Sequence, residues 1–196
     1  LFVTHLHMDH VGGLEALFYR AWFNPAPDGL IRVFVPAPLV PALHQRVGEY
    51  PNALAEGGAN FWDGFQLVPV GEQFWWDGLR FEVFPVRHHQ VGTAFGLGLS
   101  GHFLYTGDTR PIPEVLNRHG SQGERIFHDC ALQGNPSHTG LADLAGSYGP
   151  EQRARMVLYH HESAAAAQTI REAGYAVAAP GDCYALRDHR AAAAAD

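Results

Sequence analysis

A chain of 196 residues, 46% hydrophobic and 17% charged, is long and apolar enough for one globular domain with a substantial core. Its net charge of −7 excludes a broad nucleic-acid-binding face, which needs clustered Lys and Arg, but not a small anion held by a local positive field. No apolar run approaches the roughly 20 residues that a bilayer demands, Leu1-Phe2-Val3 lacks the basic flank of a signal peptide, and two cysteines, Cys130 and Cys183, make no disulfide framework and suit a reducing cytoplasm.

Leu1-Phe2-Val3 reads as the end of a buried strand that delivers Thr4–His10 into a loop. Gly12-Gly13 then turns the chain into a helix with Leu14, Leu17, Phe18 and Trp22 on one face. Asn24–Gly29 is a turn by its Pro, Asp and Gly content, and Leu30–Val35 is a short strand. Leu39, Val40, Leu43 and Val47 have helical spacing, ended at Tyr50-Pro51. Phe65–Val70, Leu79–Val86, Ala94–Leu99 and His102–Thr106 read as strands, two of them preceded by a Trp-Asp-Gly turn. Beyond Asp108 the pattern alternates: a strand at Arg125–His128, a short helix at Gly140–Gly146 capped by Thr139, and a strand at Met156–Tyr159. An Ala-rich helix at Ser163–Ala173 stopped by Gly174, a strand at Tyr175–Ala178 and a low-complexity Ala191–Ala195 tail follow. Two mixed sheets with helices on the outside satisfy this order, and no linker divides residues 1–196 into two domains.

Histidine is the informative excess, 13 residues in all. His5-Leu6-His7-Met8-Asp9-His10 puts four donor side chains into six residues. In extended chain His5 and His7 project to the same side and can reach one ion. Asp9 and His10 follow where the chain turns and can face a second. Imidazole and carboxylate suit Zn²⁺, with Mn²⁺ or Fe²⁺ also accommodated. One segment cannot close two sites. Three further places set donor side chains directly after a strand: His88-His89, Asp108 and His160-His161.

THLHMDHVGG resembles the HxHxDH signature of the metallo-β-lactamase superfamily. PVRHHQVGTAFG is similar to the next histidine segment of its phosphodiesterase branch, which includes ribonuclease Z; YTGDT resembles the bridging-aspartate motif and VLYHH the closing histidine. The resemblance runs from Thr4 to about Asp182 in the family's order. It implies an αββα sandwich, the metallo-β-lactamase fold, whose usual strands ahead of the first motif are missing here, leaving strand edges and apolar surface to be covered. It also implies that His5, His7 and His88 hold one divalent ion and Asp9, His10 and His160 the other, with Asp108 bridging. His89 and His161 remain substitutes for their neighbours. Two such ions, roughly 3.5–4 Å apart, activate water and polarise the scissile group.

Ser137-His138-Thr139 resembles the His-Ser-Thr loop of the ribonuclease Z branch, and Phe127-His128-Asp129-Cys130 stands at its His-Glu-Ala-Thr motif. Asp9 and His138 are therefore the candidate catalytic residues, with His138 the proton donor to the leaving oxygen and Asp129 a carboxylate to orient it. The bland reading of His138 is a helix cap, and His128 reads as structural. Only 19 residues separate His88 from Asp108, so the transfer-RNA-binding arm of ribonuclease Z has no room. FHDC, SHTGLADL and MVLYHH together look like the anti-Pycsar proteins of phages and bacteria. That resemblance implies a cytoplasmic homodimeric phosphodiesterase with two divalent ions, Zn²⁺ first and Mn²⁺ second. It takes a small cyclic mononucleotide of the cyclic CMP or UMP type to a nucleoside 5′-monophosphate. Long nucleic acid and membrane are not expected partners. Opening of a lactone, thioester or other cyclic phosphate is the same-fold alternative, and a non-catalytic ligand-binding module the alternative of another class. Trp22, Phe23, Phe61, Trp62, Trp75 and Trp76 are candidates for a base-stacking wall or, more simply, for core and dimer contacts.

Overall fold

Short, largely apolar runs build two sheets of unequal size. The computed structural model describes residues 1–25, 29–48, 54 and 57–186. Strand β1 (Ile31–Pro36) pairs in parallel with β2 (Phe65–Val70), from Ile31 opposite Phe65 to Pro36 opposite Val70. Leu1-Phe2-Val3 lies along the other side of β1 through an isolated parallel bridge from Phe2 to Phe34. The second sheet has seven strands: β3 (Gln73–Trp76), β4 (Leu79–Pro85), β5 (Phe95–Leu99), β6 (Phe103–Tyr105), β7 (Arg125–Asp129), β8 (Met156–Tyr159) and β9 (Ala176–Val177). They lie side by side in chain order. The first four are antiparallel, and β6 to β9 are parallel.

Helices cover the outer faces. On the first sheet, α1 (Met8–Val11), α2 (Leu14–Phe23) and α3 (Val40–Leu43) bury Val11, Leu14, Phe18 and Leu43 against Val33, Val35 and Phe65. On the second lie α4 (Pro113–His119), α5 (Leu141–Ser147), α6 (Pro150–Ala154) and α7 (Ala164–Glu172). Leu116, Leu144 and Ile170 pack there on Leu104, Ile126 and Leu158. Between the sheets a smaller cluster joins Phe34 and Val70 to Val83, with Phe2, Phe74 and Leu97 against it. The layers run helix, sheet, sheet, helix. Among the described residues no helix is long and apolar enough to cross a membrane.

The structure departs from the sequence reading in a few places. Trp76-Asp77-Gly78 is a two-residue hairpin turn, with Asp77 and Gly78 both left-handed (φ 51° and 73°), whereas Trp62-Asp63-Gly64 is a 3₁₀ turn leading into β2. Strand β3, absent from the sequence reading, carries exposed Trp75 and Trp76 at the sheet edge, while Phe61 is core. Thr139 does not cap α5. Its hydroxyl is buried and donates to the Thr109 carbonyl, while Asp143 accepts the Gly140 N–H at 2.8 Å at the helix start. Residues 26–28 of the Asn24–Gly29 turn, the Tyr50-Pro51 helix stop and the alanine tail lie outside the described residues.

The direction of the strands decides where chemistry can occur. Strands β4, β6, β7 and β8 all run the same way, as their pairings require, so the residues leaving their C-terminal ends meet along one edge. Those residues are His88, Asp108, Asp129 and His160. Ligands of open α/β sheets bind along such an edge.

His128, on β7, takes no part there and is wholly buried on the helix side. Its Nδ1–H donates to the Asp129 carbonyl at 2.7 Å, and its Nε2 accepts from the Tyr148 hydroxyl at 2.7 Å. That hydroxyl in turn accepts the Ile112 N–H at 2.7 Å. Burial lowers the His128 pKa below its ordinary value. The unfolded chain therefore takes up this proton first as pH falls. The stability that neutral His128 contributes is complete above about pH 6.5 and is lost below it. Urea unfolding between pH 7.5 and 5 is expected to show a slope shallower in His128→Phe than in wild type by up to about 1.4 kcal/mol per pH unit. Equal slopes would remove His128 from the acid sensitivity.

Candidate metal centre

Thr4–His7 leaves the first sheet extended, and the chain then coils into the single turn α1. His5 and His7 thus project from extended chain, and Asp9 and His10 from helix. The other donors come from the sheet edge. Gly107, left-handed at φ 61°, lets the chain leave β6 tightly beside Thr4 and presents Asp108 inward. The Tyr159 hydroxyl pins this turn by donating to the Gly107 carbonyl at 2.6 Å.

Asp108 is the hub. Its Oδ2 stands 3.3 Å from His10 Nε2, 3.6 Å from both His5 Nε2 and His160 Nε2, and 4.0 Å from His88 Nε2. Asp9 Oδ2 is 3.4 Å from His10 Nε2 and 3.8 Å from His160 Nε2. His7 Nδ1 is 3.2 Å from His88 Nε2. Among the described residues two groups that share Asp108 have every donor atom within 4.8 Å of the others: His5, His7, His88 and Asp108, and Asp9, His10, Asp108 and His160. A third group of the same spacing, Asp129, His138 and His160, adjoins the second. The structure brings together all seven side chains named as ligands from the sequence, in the same two sets. His161 is in neither group, and His89 is turned outward beside His7.

Hydrogen bonds behind the imidazoles fix which nitrogen faces the centre. His5 Nδ1 is 3.1 Å from the Thr4 hydroxyl, His88 Nδ1 is 3.0 Å from the Ser137 carbonyl, and His160 Nδ1 is 3.3 Å from Asp129 Oδ1. With the proton on each Nδ1, the Nε2 lone pairs converge inward. Thr4 and Ser137 in this role had no signal in the sequence beyond their place beside the histidines.

The electrostatics fit divalent cations. Burial, then the charge of His10, pushes the His5 pKa down to about 3, so His5 offers a free lone pair at neutral pH. Burial also lowers His7 and His88. Burial alone would raise Asp108, but the hydrogen bond from His10 and the surrounding imidazoles outweigh it and hold the carboxyl at about 2. The hydrogen bond to Asp129 raises His160 to about 9, and burial, which alone would lower His10, is outweighed by Asp108, which raises it. Both rings therefore carry an extra proton at neutral pH that a bound cation would displace before their lone pairs are free. Two buried atoms at the centre, His5 Nε2 and Asp108 Oδ1, have no hydrogen-bond partner. Facing lone pairs and orphaned buried acceptors are costly alone and are what a pair of cations satisfies.

His138 sits beside this centre. Its Nδ1 donates to Asp129 Oδ2 at 2.8 Å, and its ring stacks on His160 with centroids 4.9 Å apart. The same Asp129 oxygen accepts the Thr109 N–H at 2.9 Å. One buried carboxylate therefore orients both His138 and His160. The capping reading of His138 fails, because its side chain faces Asp129 and not the start of α5.

With this geometry in hand, comparison with known proteins is decisive. The family model of the Anti-Pycsar protein Apyc1 matches residues 1–184. The chain belongs to the Anti-Pycsar protein Apyc1 family. Within that family it is 30% identical over 182 residues to the Apyc1 protein of Paenibacillus xerothermodurans, covering 89% of this chain and 71% of the relative. It is 28% identical over 134 residues to that of Paenibacillus harenae, covering 67% of this chain but only 55% of the relative. The Apyc1 protein of Bacillus phage BSP38 is 26% identical over 183 residues, with 82% and 67% covered. Among solved structures, a diphosphatase from the PhnP family superposes with a TM-score of 0.68 at 17% identity, covering 94% of this chain and 71% of the other. The metallo-β-lactamase fold protein YhfI of Bacillus subtilis superposes with a TM-score of 0.63 at 10% identity, with 90% and 72% covered. The fold is that of the metallo-β-lactamases.

Proposed function

We propose that this chain acts as a metal-dependent phosphodiesterase that opens a small cyclic mononucleotide, of the cyclic CMP or UMP type, to the nucleoside 5′-monophosphate. The observation that carries the reading is a single buried carboxylate, Asp108, within 4.0 Å of four imidazoles and flanked by the Asp129–His138 pair. Its relatives are named for opposing the Pycsar system, in keeping with a cyclic nucleotide substrate.

His5, His7, His88 and Asp108 would hold one cation, and Asp9, His10, Asp108 and His160 the other; Zn²⁺ suits this mixture of imidazole and carboxylate, with Mn²⁺ as the alternative. When bound, the cations supply the Lewis acidity and activated water of a hydrolysis. The chain's own groups do the rest. Asp9, whose carboxylate is mostly exposed, stands where it can take the proton of the attacking water. His138 delivers a proton to the departing 3′ oxygen, and Asp129 keeps its ring aimed there. The acidic surface repels long polyanions, so the field that draws the substrate is local to the cations. Residues 1–196 work as one domain, in a cytoplasmic homodimer as the family resemblance implies.

The test is a substrate panel with Zn²⁺- and Mn²⁺-loaded protein. Cyclic CMP and UMP are expected to yield 5′-monophosphates, while a structured RNA stays whole. If all cyclic mononucleotides stay intact and a lactone or thioester is opened instead, the substrate assignment is wrong.

A further inference from the structure

The loop after β4 carries two adjacent histidines with opposite fates. His88 is 2% exposed and faces the centre, whereas His89 is exposed and belongs to neither group of converging donors. Yet His89 is not remote. Its ring meets His7 edge-on with centroids 4.8 Å apart, and His88 at 4.3 Å. It stands one ring away from two nitrogens of the first cation group, on the solvent side.

The backbone is held to keep it there. His89 adopts a left-handed conformation at φ 50°, one of three described non-glycine residues with positive φ. Asp77 belongs to a hairpin turn, and His160 belongs to the centre itself. The loop is fixed on both sides of His89. The Arg87 N–H donates to the Thr109 hydroxyl at 3.1 Å, the Arg87 carbonyl accepts the Arg110 N–H at 2.9 Å, and Thr93 closes a turn onto the Gln90 carbonyl at 2.7 Å. Left-handed non-glycine residues held by their surroundings concentrate where a side chain must be aimed. The neighbourhood is also open to a small molecule: Val91 is 99% exposed and Met8, between the motif histidines, is 60% exposed.

We propose that His89 is a substrate-contact residue, donating an imidazole N–H to a phosphoryl oxygen at the mouth of the first cation group, and is not a metal ligand. This rests on the phosphodiester reading above. Both the neutral and the charged imidazole carry at least one N–H, so the contact does not depend on protonation state.

The probe is inorganic phosphate, titrated calorimetrically into Zn²⁺-loaded full-length protein, with bound metal counted beforehand. His89→Gly keeps the left-handed backbone and removes the side chain. His89→Asn tolerates the same backbone but is too short to reach, and serves if the glycine variant folds poorly. Either variant is expected to keep the wild-type metal count while losing roughly tenfold in phosphate affinity. An unchanged phosphate affinity overturns the proposal, and so does a loss of bound metal, which makes His89 a ligand. Should wild type hydrolyse no cyclic nucleotide while phosphate affinity still falls in the variants, the substrate reading fails and His89 stands as a phosphate contact.

Discussion

Asp108→Asn is expected to lower hydrolysis at least about a thousandfold and to reduce the bound metal below two ions per chain. Among the described residues no other side chain belongs both to the His5 group and to the Asp9 group. Among the described residues its carboxylate is the only one paired with His5 and His88, and it shares His10 and His160 with Asp9. Asparagine preserves the volume and one acceptor oxygen but removes the charge that would let two cations lie side by side. It also replaces an orphaned acceptor, Oδ1, with an amide that donates. Metal counting after gel filtration, with turnover of cyclic CMP, checks both parts. Two retained ions and a rate within tenfold of wild type would remove Asp108 from the bridging position.

The reason this hub was legible from the sequence is local. Thr4–His10 holds four donors so closely spaced that the chain has little freedom to separate them, and Asp108 directly follows the turn after a strand whose direction fixes where it points. The choice of His88 over His89 and of His160 over His161 rests on the family resemblance and is not legible in the spacing. In an extended chain neighbours point to opposite sides, so pattern alone assigns one inward without saying which. Here a change of backbone hand decides it. His89 turns outward at φ 50°, and His160 turns toward Asp129 at φ 67°. Such conformations are imposed by the turns that flank them, and sequence spacing does not encode them.

The same limit explains the errors in the fold. Strand β3 escaped notice because none of its four residues is buried, leaving no alternation to read. Helix α4 had its signals, Pro113 at the first position and Gly120 after the last, but seven residues with one buried leucine give a weak period. Thr139 looked like a cap because Thr before an apolar run often is one. A carbonyl 30 residues away, on Thr109, claims its hydroxyl instead. Asp143 and Gly140 then form the helix start. Tertiary hydrogen bonds override local propensity where the residue is buried, and Thr139 is fully so.

His138 offers the sharpest separation of chemistry from metal binding. His138→Ala is expected to keep two ions per chain and to lower kcat by about 10²–10⁴ on a substrate with a poor leaving group. Its ring belongs to neither cation group, so its loss leaves all seven donors in place. Its proton, its contact with Asp129 and its ring contacts with His160 and His88 vanish. The loss is expected to shrink when the leaving group is an activated phenolate, because a good leaving group departs without a proton. Asp129→Asn supplies the control. It keeps a side chain beside His138 but removes the charge that orients both His138 and His160. It should impair the second cation group as well as the proton donor, lowering affinity for one ion about 10–100-fold. Rates measured on cyclic CMP and on an activated phenyl diester, with metal counts for each variant, decide the matter. Equal losses on both substrates for His138→Ala would mean that the imidazole holds the site in shape and donates nothing.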